Sequence, residues 1–535
     1  MSFKKYAHKL NLRFLFCSLI LLLFIIHLNA QAPVLNVTNS YTQQSVLYNS
    51  DTFAHTAWKP VVYTNSAYQK ADRSWLHRKF FEEHLLQVQQ PGFNIFGDFV
   101  FDEDAGATKR AVPTISSSNQ NHDGTTKFNY INTRGYFFGG NVGDKFYFET
   151  DFYENQASFA GYVDSFIRKT GVIPFQNSYK NLKAKGFDYS YSTAKLVYTP
   201  NKYLLFNLGY GTNFIGDGYR SLLLSDYNTP YPYFRTSINI GSVQYSVMYS
   251  QYISNENSFT YAEGYPRKWG QTYLVDWHAT KNFNIGIFDA VVSSIENVDH
   301  EKDFGVTHFS PVIFLHSSKS PSGLKNNDVL GLNLKYTIIP AVDFYAQVML
   351  DNSGSEDWEK RYGYQIGIRA GNLFKIDGLN AQAEFNTVRP YSYASDTITT
   401  VYAHDGQSLA HPLGANFKEG VFVADYSYKR WWFRAEAMAA RYGNDSSSAA
   451  ENFGRDIFKP LYTHSKTNNV STDQGLLTKL YYGDIRIAYI LNRKTNMRVE
   501  TGAVFRSEKN KLDNYKDVQF YIGIRMSFRK LIYDF

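Results

Sequence analysis

One short segment near the end of the chain constrains the fold more than any other. From Val518 to Phe528 every even-numbered residue is apolar, whereas the odd-numbered residues are polar, small or amphipathic. Side chains alternate between the two faces of a strand, so this segment predicts a transmembrane strand with lipid on one side and a polar lumen on the other. The chain then runs on to Phe535, as expected of the closing strand of an outer-membrane barrel. We expect Gly523 and Arg525 to tolerate polar substitution and Ile522 not to.

Residues 1–30 have the layout of a secretory signal peptide. A basic stretch precedes an apolar run over 14–28, and Leu28-Asn29-Ala30 is an acceptable cleavage site before Gln31. The alternative is a membrane anchor, but the run is shorter than the ~20 residues of a membrane helix. Cys17, the single cysteine, lies inside this segment, so the mature chain is expected to have no disulfide or thiolate chemistry.

Composition excludes several other classes. After Ala30 no apolar run reaches the length of a membrane helix, and the mean hydropathy is −0.38. Aromatic residues make up 17% of the chain, as expected of a barrel with two interfacial girdles. The net charge of +7 falls to about +3 without the four basic residues of the signal, which is too small to indicate a nucleic-acid partner.

The rest of the chain predicts about eighteen antiparallel strands, and the links between them alternate in length. Short turns such as 141–144 and 200–202 alternate with links of mostly ten to forty residues, the pattern of an all-β outer-membrane barrel with both termini in the periplasm. The predicted strands are 92–101, 127–139, 145–153, 193–199, 203–211, 234–241, 243–252, 270–278, 283–291, 329–337, 343–351, 362–370, 379–388, 420–428, 431–440, 475–489, 496–506 and 518–528.

Residues 31–91 precede the predicted barrel of 92–535. Apolar residues from Trp75 to Val88 recur at helical spacing among charged ones, which predicts an amphipathic helix that plugs or braces the periplasmic mouth. His77 and His84 flank this helix seven residues apart, and we expect a solvated face there rather than a zinc site.

The segment 211–233 is the most distinctive loop and the candidate site. Its glycines permit tight turns and its prolines stiffen the exit, so we expect a defined loop folded into the barrel. We expect Asp217, Asp226 or both to hold Arg220, because a buried arginine needs a carboxylate. The tyrosines of the loop would offer aromatic surfaces to a polymer. The loop could equally well be an internal brace or a ligand-binding site. The candidate residues for either role are Asp217, Tyr219, Arg220, Asp226, Tyr231 and Tyr233.

This loop resembles a known family. The run from Phe214 to Asp226, followed by Pro230-Tyr-Pro232, resembles the signature loop of Wzi-type capsule-assembly barrels, and more closely that of RemB-like gliding-motility proteins of the Bacteroidetes. Residues 75–84 and 327–351 are similar to other blocks of that group. The capsule family has a Trp-Gly-Pro-Gly-like run where Ile215 to Gly218 stand here. The resemblance implies an eighteen-stranded barrel with a periplasmic helical element, which holds surface polysaccharide or serves surface motility.

Three function classes follow from the sequence. The first is a non-enzymatic surface barrel whose partners are outer-membrane lipid and either surface polysaccharide or a motility or secretion complex. The second is a diffusion porin, because barrels of this size can enclose a channel. The third is an outer-membrane hydrolase; His278 and Asp276 share a strand face, but no Gly-x-Ser-x-Gly turn accompanies them. We expect no catalytic residue, no metal and no cofactor.

Overall fold

The protein is a closed barrel of eighteen antiparallel strands, which confirms the predicted fold. The computed structural model describes residues 34–37, 55–65, 73–111, 126–182, 186–254, 266–294, 310–314, 326–351, 361–445, 451–465 and 470–535. The signal-peptide prediction lies outside these residues. Each predicted strand overlaps one observed strand, because the two-residue alternation runs through the whole wall. The strands are β1 Phe93–Ala111, β2 Thr126–Val142, β3 Phe146–Ser158, β4 Gly186–Asn201, β5 Leu204–Gly211, β6 Tyr231–Ile240, β7 Val243–Ile253, β8 Arg267–His278, β9 Phe283–Ser294, β10 Asn326–Ile339, β11 Val342–Asp351, β12 Tyr362–Ala370, β13 Leu379–Val388, β14 Phe417–Tyr428, β15 Trp431–Asn444, β16 Leu476–Asn492, β17 Met497–Lys509 and β18 Asn514–Arg525.

Each strand pairs with its neighbours in sequence, and β18 closes the barrel against β1. The closing register sets Ile524 opposite Glu103, in the middle of β1. The first residues of β1 pair instead with the short strand Leu86–Gln90. The segment before the barrel therefore contributes a short strand to the wall at the point where β1 begins.

The wall has the two faces that the sequence predicts. On β18, Phe520, Ile522 and Ile524 are exposed on the outside, whereas Tyr521 is buried inside. The strand ends at Arg525, three residues before the predicted end. The backbone N–H groups of the next two residues donate to the Asp102 carboxylate, which turns the chain into the lumen.

The two ends of the barrel differ. At one end, which we call the short-turn end, the links between strands are two to eight residues long, for example 202–203 and 241–242. At the other, the long-loop end, eight of the nine links have ten residues or more; the exception is 510–513. A row of aromatic rings with centroids 6.3 to 6.4 Å apart crosses the outer wall near the short turns, as expected of an interfacial girdle. The row consists of Phe146, Tyr198, Phe206 and Phe234.

The predicted N-terminal helix is shorter than expected. Helix α1 is Trp75–Phe81. Ser74 is its N-cap, where the hydroxyl accepts from the His77 N–H, and Glu82 is its C-cap. The prediction that the helix continues to Val88 is wrong, because residues 86–90 satisfy their backbone groups by pairing with β1. The Asn492 side chain, at the end of β16, donates to backbone carbonyls at the end of α1 and holds it at the short-turn end.

Segments from both ends fill the lumen. They include residues 55–61, helix α2 (Gly161–Thr170), the link 212–230, the link 389–416 and residues 526–535. Most of their apolar side chains are buried in contact with each other and with the inner face of the wall. Among the described residues, no helix is both long and apolar enough to cross a bilayer.

Ile522→Arg should impair assembly of the barrel. Its side chain is 59% exposed on the outer face, and a charge facing lipid near the bilayer midplane costs about 2 to 4 kcal/mol. The fraction of heat-modifiable, folded protein in outer-membrane extracts measures the effect. Gln519→Glu, on the inner face of the same strand and beside a cavity lined by Arg486 and Arg525, is the control and should assemble. Equal loss in both variants would contradict the orientation of β18.

The expected tolerance at Gly523 and Arg525 is wrong. A Cβ at Gly523 would collide with the Asp104 carboxylate of β1. Arg525 is 4% exposed and forms ion pairs of 2.6 Å with both Asp104 and Glu500. At these two positions the inner face is packed against charged partners rather than exposed to water, so substitution there is costly. Gln519 differs, because it is half-buried beside a small cavity.

Candidate functional site

The segment between β5 and β6 lies inside the barrel. Phe214–Ile215 pairs with Trp58–Lys59 of the N-terminal segment. The Trp58 indole N–H donates to Asn213 at 3.0 Å. The apolar run Leu222 to Leu224 is fully buried and packs in the main lumenal core. This loop is therefore a structural element of the lumen, and most of its side chains are buried.

Two glycines of the loop lie where a side chain has no room. Gly216 has φ +144°, and a Cβ there would collide with the Gln347 amide of β11. A Cβ at Gly218 would collide with Glu384 of β13 and Gln365 of β12. The backbone of the loop thus lies directly against the polar side chains of the wall.

Arg220 is the central residue of the loop. It is fully buried, and its guanidinium lies 3.1 Å from Glu419 of β14 and 3.2 Å from Asp534 of the 526–535 segment. It also donates to the Asp534 carbonyl at 2.7 Å. The rings of Tyr219 and Tyr227 lie 5.2 and 4.7 Å from the guanidinium carbon. One side chain thus joins three parts of the molecule that are far apart in sequence.

The acceptors around Arg220 are shared. Asp534 also accepts from the hydroxyls of Tyr219 and Tyr227 at 2.7 and 3.1 Å. Glu419 also accepts from His411 at 2.8 Å. Burial on its own would raise the pKa of the Asp534 carboxyl, but the Arg220 guanidinium, Lys530 and hydrogen bonds from Glu436 and Tyr219 together hold that pKa well below its usual range. The ion pair therefore stays charged at physiological pH.

Asp217 does not hold Arg220, contrary to the sequence-based expectation. It accepts from Asn333 at 2.8 Å and lies 3.8 Å from Lys335 and 3.7 Å from Arg369. Burial opposes its ionisation, but these cations and Lys59 lower its pKa to about 2. The reason for the error is geometric: only two residues separate the two positions, but the chain turns their side chains toward different parts of the wall.

Asp226 does not hold Arg220 either. It lies 3.7 Å from Lys530, whose ammonium is 3.2 Å from the centre of the Tyr227 ring. Both Asp226 and Lys530 line an interior cavity of about 110 Å³, together with Lys59 and Lys195. A cavity of this size holds a few water molecules or a small ion, but no polymer.

The tyrosines face inward as well. Tyr231 is fully buried, with the Tyr252 ring 4.9 Å and the His404 ring 5.5 Å away. Tyr233 is 3% exposed, and the Tyr219 hydroxyl lies 2.7 Å from Asp534 and 3.1 Å from Glu436 in the interior. In this structure the aromatic faces of these residues contact protein. Their roles as ligand contacts or braces remain predictions.

The residues that complete this network were not recognised in the sequence. Glu384, Glu419 and Glu436 face the lumen from β13, β14 and β15, and Asp534 follows β18. The strand alternation places each glutamate on the inner face, so they were recognisable as lumenal. No local pattern indicates that they meet residues 160 or more positions away, because that contact depends on barrel closure.

Comparison with known proteins found likeness in structure alone. No family model and no curated protein matches the sequence. Among solved structures, the carbohydrate-binding barrel Wzi, involved in group 1 capsule assembly in Escherichia coli, matches with 14% identity, a TM-score of 0.47, and coverage of 80% of this chain and 85% of that one. OprD of Pseudomonas aeruginosa matches with 8% identity and a TM-score of 0.38, covering 80% and 94%. OccAB2 of Acinetobacter baumannii matches with 10% identity and a TM-score of 0.40, covering 80% and 97%.

Arg220→Ala should strongly destabilise the folded barrel. It leaves Glu419 and Asp534 buried without their cation, and breaking a buried ion pair in this way costs about 3 to 5 kcal/mol. The midpoint of urea unfolding, followed by heat-modifiable migration in gels, measures the loss. Arg441→Ala is the control: Arg441 forms an exposed pair with Asp473, worth at most ~1 kcal/mol.

A double variant shows whether the stability loss comes from the unpaired buried charges or from lost packing. Arg220→Met combined with Asp534→Asn removes charge from both sides of the pair, so it should be more stable than Arg220→Met alone. An unfolding midpoint of Arg220→Ala equal to that of Arg441→Ala would contradict the central role of Arg220.

Proposed function

We propose that this protein is a non-enzymatic outer-membrane barrel that holds or organises surface polysaccharide, or serves surface motility. The observation that carries the proposal is the filled lumen. The surface that contacts polysaccharide or a partner is then the long-loop end, and the barrel supports it. We assign no catalytic role to any residue.

The segments inside the lumen are held by apolar packing as well as by ion pairs. Leu222, Leu223 and Leu224 of the 212–230 link are fully buried, as are Tyr393 and Leu409 of the 389–416 link. The Tyr393 hydroxyl donates to the Leu222 carbonyl at 2.7 Å, which joins the two links directly. Opening a channel here would expose these apolar side chains at a cost of roughly 1.5 to 3 kcal/mol for each large one. This cost favours a permanent plug over a gate.

The sequence of the 211–233 loop supports the choice of polysaccharide or motility. Its resemblance to Wzi-type and RemB-like loops covers the run Phe214 to Asp226 and Pro230 to Pro232. In the structure these residues shape the interior and support the 389–416 link above them. The loop would then act by fixing the shape of the outer surface, rather than by touching a polymer itself.

We place the long-loop end outside the cell and both termini in the periplasm, as in other bacterial barrels. On that end the segment 451–465 presents Tyr462, which is 71% exposed. Exposed aromatic faces stack on sugar rings, so Tyr462 is the described residue that we assign to glycan contact. Its neighbours Thr463 and His464 are exposed too and supply hydrogen-bonding groups.

The purified wild-type protein should show little conductance in planar bilayers, because the segments packed in the lumen obstruct the passage of water and ions. A diffusion porin is the alternative, and stable, large, ohmic channels would favour it over the scaffold. Arg220→Ala provides the matched comparison, since loosening the plug should raise the frequency of channel events. Equal conductance in both proteins, at a porin-like level, would contradict the filled-lumen argument.

Gene deletion with complementation tests the surface role. Loss of capsule retention would support the polysaccharide function, and loss of spreading on agar would support the motility function. Tyr462→Ala should reduce the affected property while leaving the folded barrel at wild-type level, because Tyr462 is largely exposed. Phe374→Ala, an 81% exposed aromatic residue in the turn 371–378 at the opposite end, is the control and should change neither property. A deletion strain normal in both assays would overturn the proposal.

A further inference from the structure

Three potential metal ligands meet at the short-turn end of the lumen. They are His55 of the N-terminal segment and Asp276 and His278 of β8, and one ligand atom from each lies within 4.8 Å of the other two. Asp276 and His278 are two residues apart on a strand, so both face the lumen. They are 2% and 4% exposed. His55 enters the cluster from a position 221 residues earlier in the chain.

The three residues are already in contact. His55 Nδ1 lies 2.8 Å from Asp276 Oδ2, and the rings of His55 and His278 have centroids 4.4 Å apart. The second carboxylate oxygen, Asp276 Oδ1, is buried and accepts no hydrogen bond from the described residues. A buried acceptor of this kind is unfavourable unless a partner is supplied. It is therefore an independent indication that a ligand belongs in the cluster.

We propose that His55, Asp276 and His278 bind a divalent transition-metal cation, with Zn²⁺ as the ion that fits best. Two imidazoles and one carboxylate form a three-ligand set that zinc commonly takes, with bonds of about 2.0 to 2.2 Å and an open fourth position. Tetrahedral ligands are then roughly 3.3 Å apart, so small side-chain rotations bring the three atoms into place. Magnesium and calcium prefer sites made of oxygen ligands.

The surroundings suit such a site. The Asn284 side-chain amide lies 3.3 Å from His278 Nε2. With its amide oxygen turned toward this nitrogen, Asn284 accepts the Nε2–H and orients the imidazole, so that Nδ1 is the atom that binds the metal. The nearby cation is Lys335, which would repel a metal. Its ammonium lies 3.8 Å from Asp217 and donates to Thr56 at 3.2 Å, so a carboxylate outside the cluster offsets its charge.

The site would fasten the N-terminal segment to the wall. The contacts of Trp58–Lys59 with Phe214–Ile215 already hold this segment in the lumen, and Arg235 donates to the Pro60 carbonyl. A metal bridge from His55 to β8 adds a cross-link a few residues before these contacts. It would anchor the segment at the short-turn end through His55 as well as through Trp58–Lys59.

Zinc titration of the tag-free protein in detergent, after removal of metals with a chelator, tests the proposal. Isothermal titration calorimetry with ZnCl₂ should show one site per chain, and Co²⁺ should give the visible absorption of a tetrahedral complex. Asp276→Asn and His278→Gln should weaken zinc binding at least tenfold and remove the cobalt spectrum. Both substitutions keep the side chain at a similar size. His55→Ala provides a third variant, which should fold because His55 is half-buried and belongs to the N-terminal segment rather than to a strand of the wall.

His84→Ala is the matched control. His84 also lies against a carboxylate, Asp98, at 2.6 Å, but among the described residues no third ligand joins that pair. It should leave zinc binding unchanged. The proposal is overturned if the folded wild type binds no zinc at about 100 μM, or if Asp276→Asn and His278→Gln bind as tightly as the wild type. Folding of each variant is checked by heat-modifiable migration.

Discussion

The buried ion pairs of Arg220 are the interaction on which the interior depends. The guanidinium contacts Glu419 of the wall and Asp534 of the 526–535 segment at 3.1 and 3.2 Å, and all three side chains are fully buried. A charge buried in this way is stable only while its partners remain in place. Loop, wall and terminal segment are therefore coupled, and loss of one contact affects all three.

The same loop is attached to the wall by further ion pairs inside the lumen. Asp217 binds Lys335 and Arg369 on one side of the barrel, while Asp226 and Lys530 pair on another. Together with Arg220, these contacts attach the 211–233 loop to several sides of the wall. Apolar residues of the 389–416 link then pack over it. A wall held from inside in this manner is a stiff support for the loops at the long-loop end.

The N-terminal segment closes the same interior from the short-turn end. Its strand Trp58–Lys59 pairs with the loop itself, and His55 reaches Asp276 on β8. Burial lowers the pKa of Lys59 to about 7, although Asp217 opposes the shift, and its ammonium group donates to the Gly216 carbonyl. A zinc ion bound by His55, Asp276 and His278 would add a further link between this segment and the wall.

The sequence by itself determined the barrel, its eighteen strands and the inner and outer face of each, because lipid outside and charge inside impose a two-residue period that local patterns reveal. It also indicated that the 211–233 loop had a defined shape, through its glycines and prolines. The partners of Arg220, the burial of Tyr231, the early end of α1 and the meeting of His55 with Asp276 and His278 were decided by the tertiary structure. These contacts join residues up to 314 positions apart. They exist only after the wall has closed and brought its inner face around the segments that fill it, and no local pattern in a chain records which distant charges will meet.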